Sequence, residues 1–311
     1  MSPIISVSHL SKYYKDIKAV DDISFTVNKG DVYGFLGQNG AGKSTTIRML
    51  LSLIRPTAGS IEILGMNLHK HRNEILKQVG AVIERPDLYK YLTASENLQL
   101  FARLSGVKLP DRQLMDQLKR VGLEERAHSK VDTFSQGMKQ RLAIAVALAH
   151  DPQLVILDEP TNGLDPQGIA DIRKLILTLS REHGKTVVVS SHLLNEIEQT
   201  ATRMIIINKG KKIAEGTMRS LLDSSRMLIE LRVENPEQTM MHLQSSHWHP
   251  MLLNRNGHVF TLRMNEKDIP QFTADLVAMG AAVSGIQPRH SLEAYFLSLT
   301  TGNQYVDDIT N

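Results

Sequence analysis

Nine residues, GQNGAGKST at 37–45, carry the first readable chemistry in this sequence. They satisfy G-x-x-x-x-G-K-[ST], and they stand between an apolar run (DVYGFL, 31–36) that reads as a buried strand and a stretch (45–54) with helical apolar spacing. A phosphate-cradling loop needs that setting. Gly37, Gly40 and Gly42 let the backbone turn tightly, so that its N–H groups face inward, with Gln38, Asn39, Ala41 and Thr45 completing the loop. The positive end of the following helix favours anions. Lys43 offers a mobile charge to β- and γ-phosphates, and the Ser44 hydroxyl suits Mg²⁺. A chance glycine-rich turn accounts for the loop, but not for the strand before it and the helix after. The motif predicts a nucleoside-triphosphate site.

A phosphate loop alone does not separate GTPases, kinases and ATPases. LVILDEP (154–160) is an apolar strand ending in two acids. Asp158, at the strand's C-terminal end, suits a Mg²⁺ ion held through its water shell, and Glu159 can polarise a water for attack on the γ-phosphate. The lesser alternative for the pair alone is that it simply caps the next turn. VVVSSH brings His192 to the end of another strand, where it suits a γ-phosphate or the attacking water, although a lone histidine there is more often structural. Ser135 and Gly137 open a long helix within DTFSQGMKQRLAIAVALAH (132–150). A second anion-binding helix start makes sense if it serves a neighbour's nucleotide. A guanine-reading N-K-x-D is missing, because NKGK at 208–211 lacks the aspartate.

Together these motifs resemble the nucleotide-binding domain of an ATP-binding-cassette (ABC) transporter, and the likeness covers roughly residues 4–222. The resemblance implies the following roles. Tyr14, rather than Tyr13, stacks on adenine; residues 37–45 are Walker A and 154–158 Walker B. Glu159 is the catalytic carboxylate, Asn162, Gly163, Leu164 and Asp165 form the D-loop, and His192 is the switch histidine. Two departures stand out. The signature LSGGQ reads FSQGM, with Gln136 replacing a glycine between Ser135 and Gly137, and the Q-loop glutamine is Glu84. A carboxylate at 84 can still ligate Mg²⁺ but has no amide donor. Both departures resemble the branch associated with export of bacitracin-like and lantibiotic peptides, as does the ending SLEAYFLSLTTG (291–302). The cofactors implied are ATP and Mg²⁺. The partners implied are a second cassette (a copy or a homologue), gripping each ATP head to tail, and separate transmembrane permease subunits. That role implies a cytoplasmic protein, peripheral on the inner face of the membrane. The alternative is a soluble cassette ATPase that clamps ribosomes or nucleic acid. Such relatives usually carry two cassettes or a coiled-coil insertion.

Composition agrees with the leading reading. At 311 residues two domains are expected, and 41% hydrophobic content supplies a core. Lys plus Arg number 36 against 33 Asp plus Glu, a net charge of +3 too balanced to imply nucleic-acid binding. There is no cysteine, which excludes disulfides and thiolate metal sites. The start lacks a secretion signal, and the longest apolar run, LAIAVALA at 142–149, is far short of the ~20 residues a membrane span needs.

The expected fold is therefore an α/β P-loop cassette over residues 1–222 with a mostly parallel sheet. A helical subdomain is expected at about 86–149, including a capping box at Thr93 and Glu96 and a helix over 111–121. Residues 226–311 read as a small α+β domain of split βαβ type, with a hairpin at Asn256-Gly257 and a closing helix over 291–299. Whether that domain senses a ligand, dimerises or merely stabilises stays open. Pro86, Leu88, Tyr89 and Tyr91 form either a docking loop for a membrane partner or a segment packed back on the core. The histidine pairs His69/His71 and His247/His249 read as ordinary surface residues, without a transition metal.

Overall fold

A computed structural model describes residues 3–84, 87–221 and 227–289. The chain divides into two compact units, residues 1–218 and 219–311.

The first unit is built on two sheets. The hairpin of β1 (Pro3–Tyr14) and β2 (Ile17–Asn28) joins β4 (Ala58–Ile63) and β5 (Met66–Asn67) in the order β2-β1-β4-β5. The larger sheet contains β3 (Val32–Leu36), β6 (Val79–Val82), β7 (Leu154–Asp158), β8 (Thr186–Ser191), β9 (Arg203–Asn208) and β10 (Lys211–Thr217), in the order β10-β9-β3-β8-β7-β6. Its pairings are parallel except β9 with β10. Every residue of β3, β7 and β8 is buried. Strands buried on both faces read as continuous apolar runs, which is why they are visible in the sequence.

Helices α1 (Lys43–Leu50) and α2 (Arg72–Leu76) precede β6. Between β6 and β7 the chain forms α3 (Ala94–Leu104), α4 (Asp111–Arg120) and α5 (Gln136–Ala147), which pack on one another as a helical layer. The Thr93 hydroxyl accepts the Glu96 N–H at 3.2 Å, and the Thr93 N–H donates to Glu96 Oε2 at 2.7 Å, so the capping box is complete. Helices α6 (Pro166–Arg181) and α7 (Leu194–Thr200) follow β7 and β8, and a one-turn helix, α8 (Met218–Leu221), follows β10.

In the second unit, β11 (Met227–Val233), α9 (Pro236–Gln244), β12 (Leu252–Asn256), β13 (Val259–Met264), α10 (Ile269–Ala278) and β14 (Val283–Arg289) follow in turn. The antiparallel order β12-β13-β11-β14 is the expected split βαβ arrangement. Asn256 pairs with Val259 across the expected hairpin turn. Ile229, Leu231, Phe260, Leu262, Phe272 and Trp248 fill its core. The Trp248 ring meets Phe272 edge-on at 5.2 Å, and its indole N–H donates to Asp275 at 2.9 Å. The helix expected over 291–299 lies outside the described residues.

Two expectations shift in extent. β1 and β2 run well past their apolar cores, because hairpin pairing carries polar residues along with it. The helix expected over 45–54 occupies Lys43–Leu50 instead. It stops early because Ser52 takes a positive φ of 54°, and the N–H groups of Leu53 and Ile54 fold back onto Arg48 O.

Candidate functional site

The site gathers at the C-terminal ends of three neighbouring strands. β3 leads into the phosphate loop, and Gly42 caps α1 with φ 109°, a conformation closed to residues with a Cβ. A Cβ there would also come within 2.6 Å of Ala19 O. Gly37 and Ala41 are buried beneath the loop, while Gln38, Asn39, Gly40, Gly42, Lys43, Ser44 and Thr45 line an open cleft with Ile17, Lys18, Ala19, Glu159 and Lys209. The Lys43 ammonium is buried. It donates to Gly37 O at 2.7 Å and Gln38 O at 3.3 Å, and stands 3.1 Å from Glu159 Oε1.

β7 delivers the two acids. Asp158, 1% exposed, accepts the Ser190 hydroxyl at 2.5 Å. The same hydroxyl accepts the Glu159 N–H at 2.9 Å. Glu159 takes a left-handed φ of 50°, which costs a non-glycine residue about 1–3 kcal/mol and persists only where the surroundings hold it. Its other oxygen, Oε2, meets His192 Nδ1 at 2.8 Å. Glu159 is thus held at both oxygens, by an ammonium and by an imidazole. That places a fixed carboxylate beside an anion cradle, which is what activating a water against a bound phosphate requires.

Other predicted residues lie apart from this group. Glu84 is exposed, has a positive φ of 56°, and is ion-paired with Arg48 instead of lining the cleft. Asp165 serves as the N-cap of α6, accepting the Gly168 N–H at 2.9 Å, and Asn162, Gly163 and Leu164 form the turn before it. Ser135 caps α5, its hydroxyl accepting the Met138 N–H at 3.2 Å. Gln136 is exposed, and Ser135, Gln136 and Gly137 are absent from the lining of this chain's own cleft. Tyr14, 45% exposed, does not line the cleft; its cross-strand partner Ile17 does. The Lys12 ammonium lies 4.9 Å over the Tyr14 ring. Pro86 lies outside the described residues. The backbone of Tyr89 is clamped by the buried Asn97 amide, at 2.8 and 3.0 Å, while Tyr89 and Tyr91 stay exposed.

Sequence reasoning missed Ser190, Lys209 and Ile17. Ser190 looked like one more strand residue, and only the β7–β8 register, which sets it beside Asp158, reveals its position.

Residues 20–162 match the ABC transporter family. Over 97% of its length the chain is 42% identical to the bacitracin transport ATP-binding protein BcrA of Bacillus licheniformis, 99% of which is covered. The chain belongs to the ABC transporter family as an ATP-binding cassette. It is also 39% identical to the lantibiotic transport ATP-binding protein SrtF of Streptococcus pyogenes, over 68% of this chain and 90% of that protein. Among solved structures it resembles a dimeric post-hydrolysis state of the cassette MJ0796 bound to ADP and phosphate, with a TM-score of 0.62, 29% identity, and coverage of 68% of this chain and 98% of that one. The cassette binds and hydrolyses ATP, as the ATP-binding motor of an ABC transporter. No helix among its described residues is long and apolar enough to cross a membrane.

Proposed function

We propose that residues 1–222 form an ATP-binding domain in which Glu159 is the general base and His192 its orienting partner. The observation that carries this reading is the Glu159 carboxylate suspended between Lys43 and His192 at the mouth of the phosphate loop. ATP phosphates would take the place Glu159 and the loop carbonyls now fill around Lys43, with the loop N–H groups and the α1 N-terminus completing the cradle. Ser44 and Asp158 suit a Mg²⁺ ion, and Asp158 is already a buried carboxylate aligned by Ser190. Such an ion would supply charge neutralisation at the phosphate oxygens. Glu84, ion-paired with Arg48 through one oxygen, is the further candidate ligand. Tyr14 beside Ile17 offers a surface for adenine. Glu159→Gln is expected to keep ATP affinity and lose at least about a hundredfold in kcat, accumulating as dimers in light scattering. Normal turnover would overturn the assignment.

A second cassette, presenting Ser135, Gln136, Gly137 and Asp165, would complete each site. Exposure of the capped α5 start, outside this chain's own cleft, supports that arrangement. The motor then works with separate permease subunits at the inner face of the membrane. The relatives' names point to peptide antibiotics as cargo. The clamped loop around Tyr89 and Tyr91 is the proposed permease contact. A Tyr91→Ala variant that assembles with the permease and couples as well as the parent rules that contact out. Residues 226–311 form an accessory domain.

A further inference from the structure

Glu196 sits in the first turn of α7, outside the phosphate cleft. α7 is fixed against the sheet by close packing on β3: a Cβ at Gly34 would come within 2.5 Å of Ile197 Cγ2. A single oxygen of Glu196, Oε2, accepts two buried hydroxyls. One belongs to Thr161, two residues beyond Glu159; the other to Ser191, next to His192, at 3.0 Å. The Ser191 oxygen in turn accepts the Leu193 N–H at 2.9 Å, which shapes the bend that presents His192. On the other side, Asn162 N–H bonds the Glu159 carbonyl and Leu164 N–H bonds the Thr161 carbonyl, so the turn leading to the Asp165 cap starts from the same residue whose hydroxyl is anchored.

We propose that Glu196 is a positioning residue: its carboxylate holds the segment carrying Glu159 and the segment carrying His192 in one fixed relation, and links both to the 162–165 turn. The inference rests on the reading of Glu159 and His192 as the hydrolytic pair. Hydrogen bonds to an ionised acceptor are stronger and shorter than neutral ones, so one carboxylate fixes two loops where two water-exposed contacts would not. The second oxygen, Oε1, is buried with no partner among the described residues, as is Arg173 Nε, and both residues line the same small cavity with Thr161 and Ser191. The carboxylate therefore retains acceptor capacity on the α6 side, where the 162–165 turn ends.

The test is steady-state ATPase kinetics on the full chain. Glu196→Ala is expected to lower kcat by about ten- to a hundredfold, with KM for ATP within about twofold, because a small misplacement of reacting groups is felt in the chemical step and not in binding. Glu196→Gln keeps an acceptor oxygen and should retain kcat within about threefold. Thr161→Val combined with Glu196→Ala should cost no more than the worse single change, since both remove the same tie. Should Glu196→Ala fail to fold, Thr161→Val and Ser191→Ala each cut one tie and should lower kcat at unchanged KM. Full kcat in these variants, or losses that add and raise KM equally, overturns the proposal. Glu159→Gln run alongside separates the two ideas: normal turnover there removes the parent reading, whereas an inactive Glu159→Gln beside a fully active Glu196→Ala removes only the tie.

Discussion

Lys43 and Glu159 form an ion pair beside the phosphate loop, and on the proposed reading a bound triphosphate would compete with Glu159 for the ammonium. The strained backbone at Glu159 is held largely by one hydroxyl, that of Ser190, which also aligns Asp158. Ser190→Ala removes a bond to a buried carboxylate and orphans a strained N–H. It should destabilise the protein by about 1.5–3 kcal/mol in urea unfolding and lower kcat more than it changes ATP affinity. Ser190→Thr, which keeps the hydroxyl, should largely restore both. Parent-like stability and rate in Ser190→Ala would show that the hydroxyl is incidental.

The capping box on α3 makes a pH-dependent prediction. The Thr93 N–H, and then its hydroxyl, hold the Glu96 carboxyl below its ordinary range. A lowered folded value means the stabilisation is present at neutral pH and is lost as pH falls through that value. Glu96→Gln should thus be less stable than the parent at pH 7 in urea melts, and the gap should close on acidification below the usual carboxylate range. A gap that stays constant with pH would mean that the charge contributes nothing. At this scale much of the architecture was legible in the sequence. β3, β7 and β8 are continuous apolar runs, the phosphate loop is fixed by its glycines and lysine, and the α3 cap announces itself by residue type. What was illegible depends on which strands are neighbours. Ser190 gains its place only because β8 lies against β7, and Ile17 reaches the cleft only through the length of the β1–β2 hairpin. Glu84 was expected at the metal, but Arg48, distant in sequence, claims its carboxylate.

On the scale of the whole chain, the phosphate cleft, Glu159, His192 and the Glu196 tie all fall within residues 1–218. A fragment ending at 218 should therefore bind ATP with the affinity of the full chain, as read by calorimetry. A drop of tenfold or more would mean that the remaining residues contribute to the cleft. The second unit has its own core, and the chain's one tryptophan, Trp248, is buried in it. Its indole is wedged on Phe272 and tethered to Asp275, surroundings to which emission colour is sensitive. Nature has thus placed a built-in optical label on the unit that holds no phosphate loop. Any change in its fluorescence when ATP is added would be a message received from the other unit.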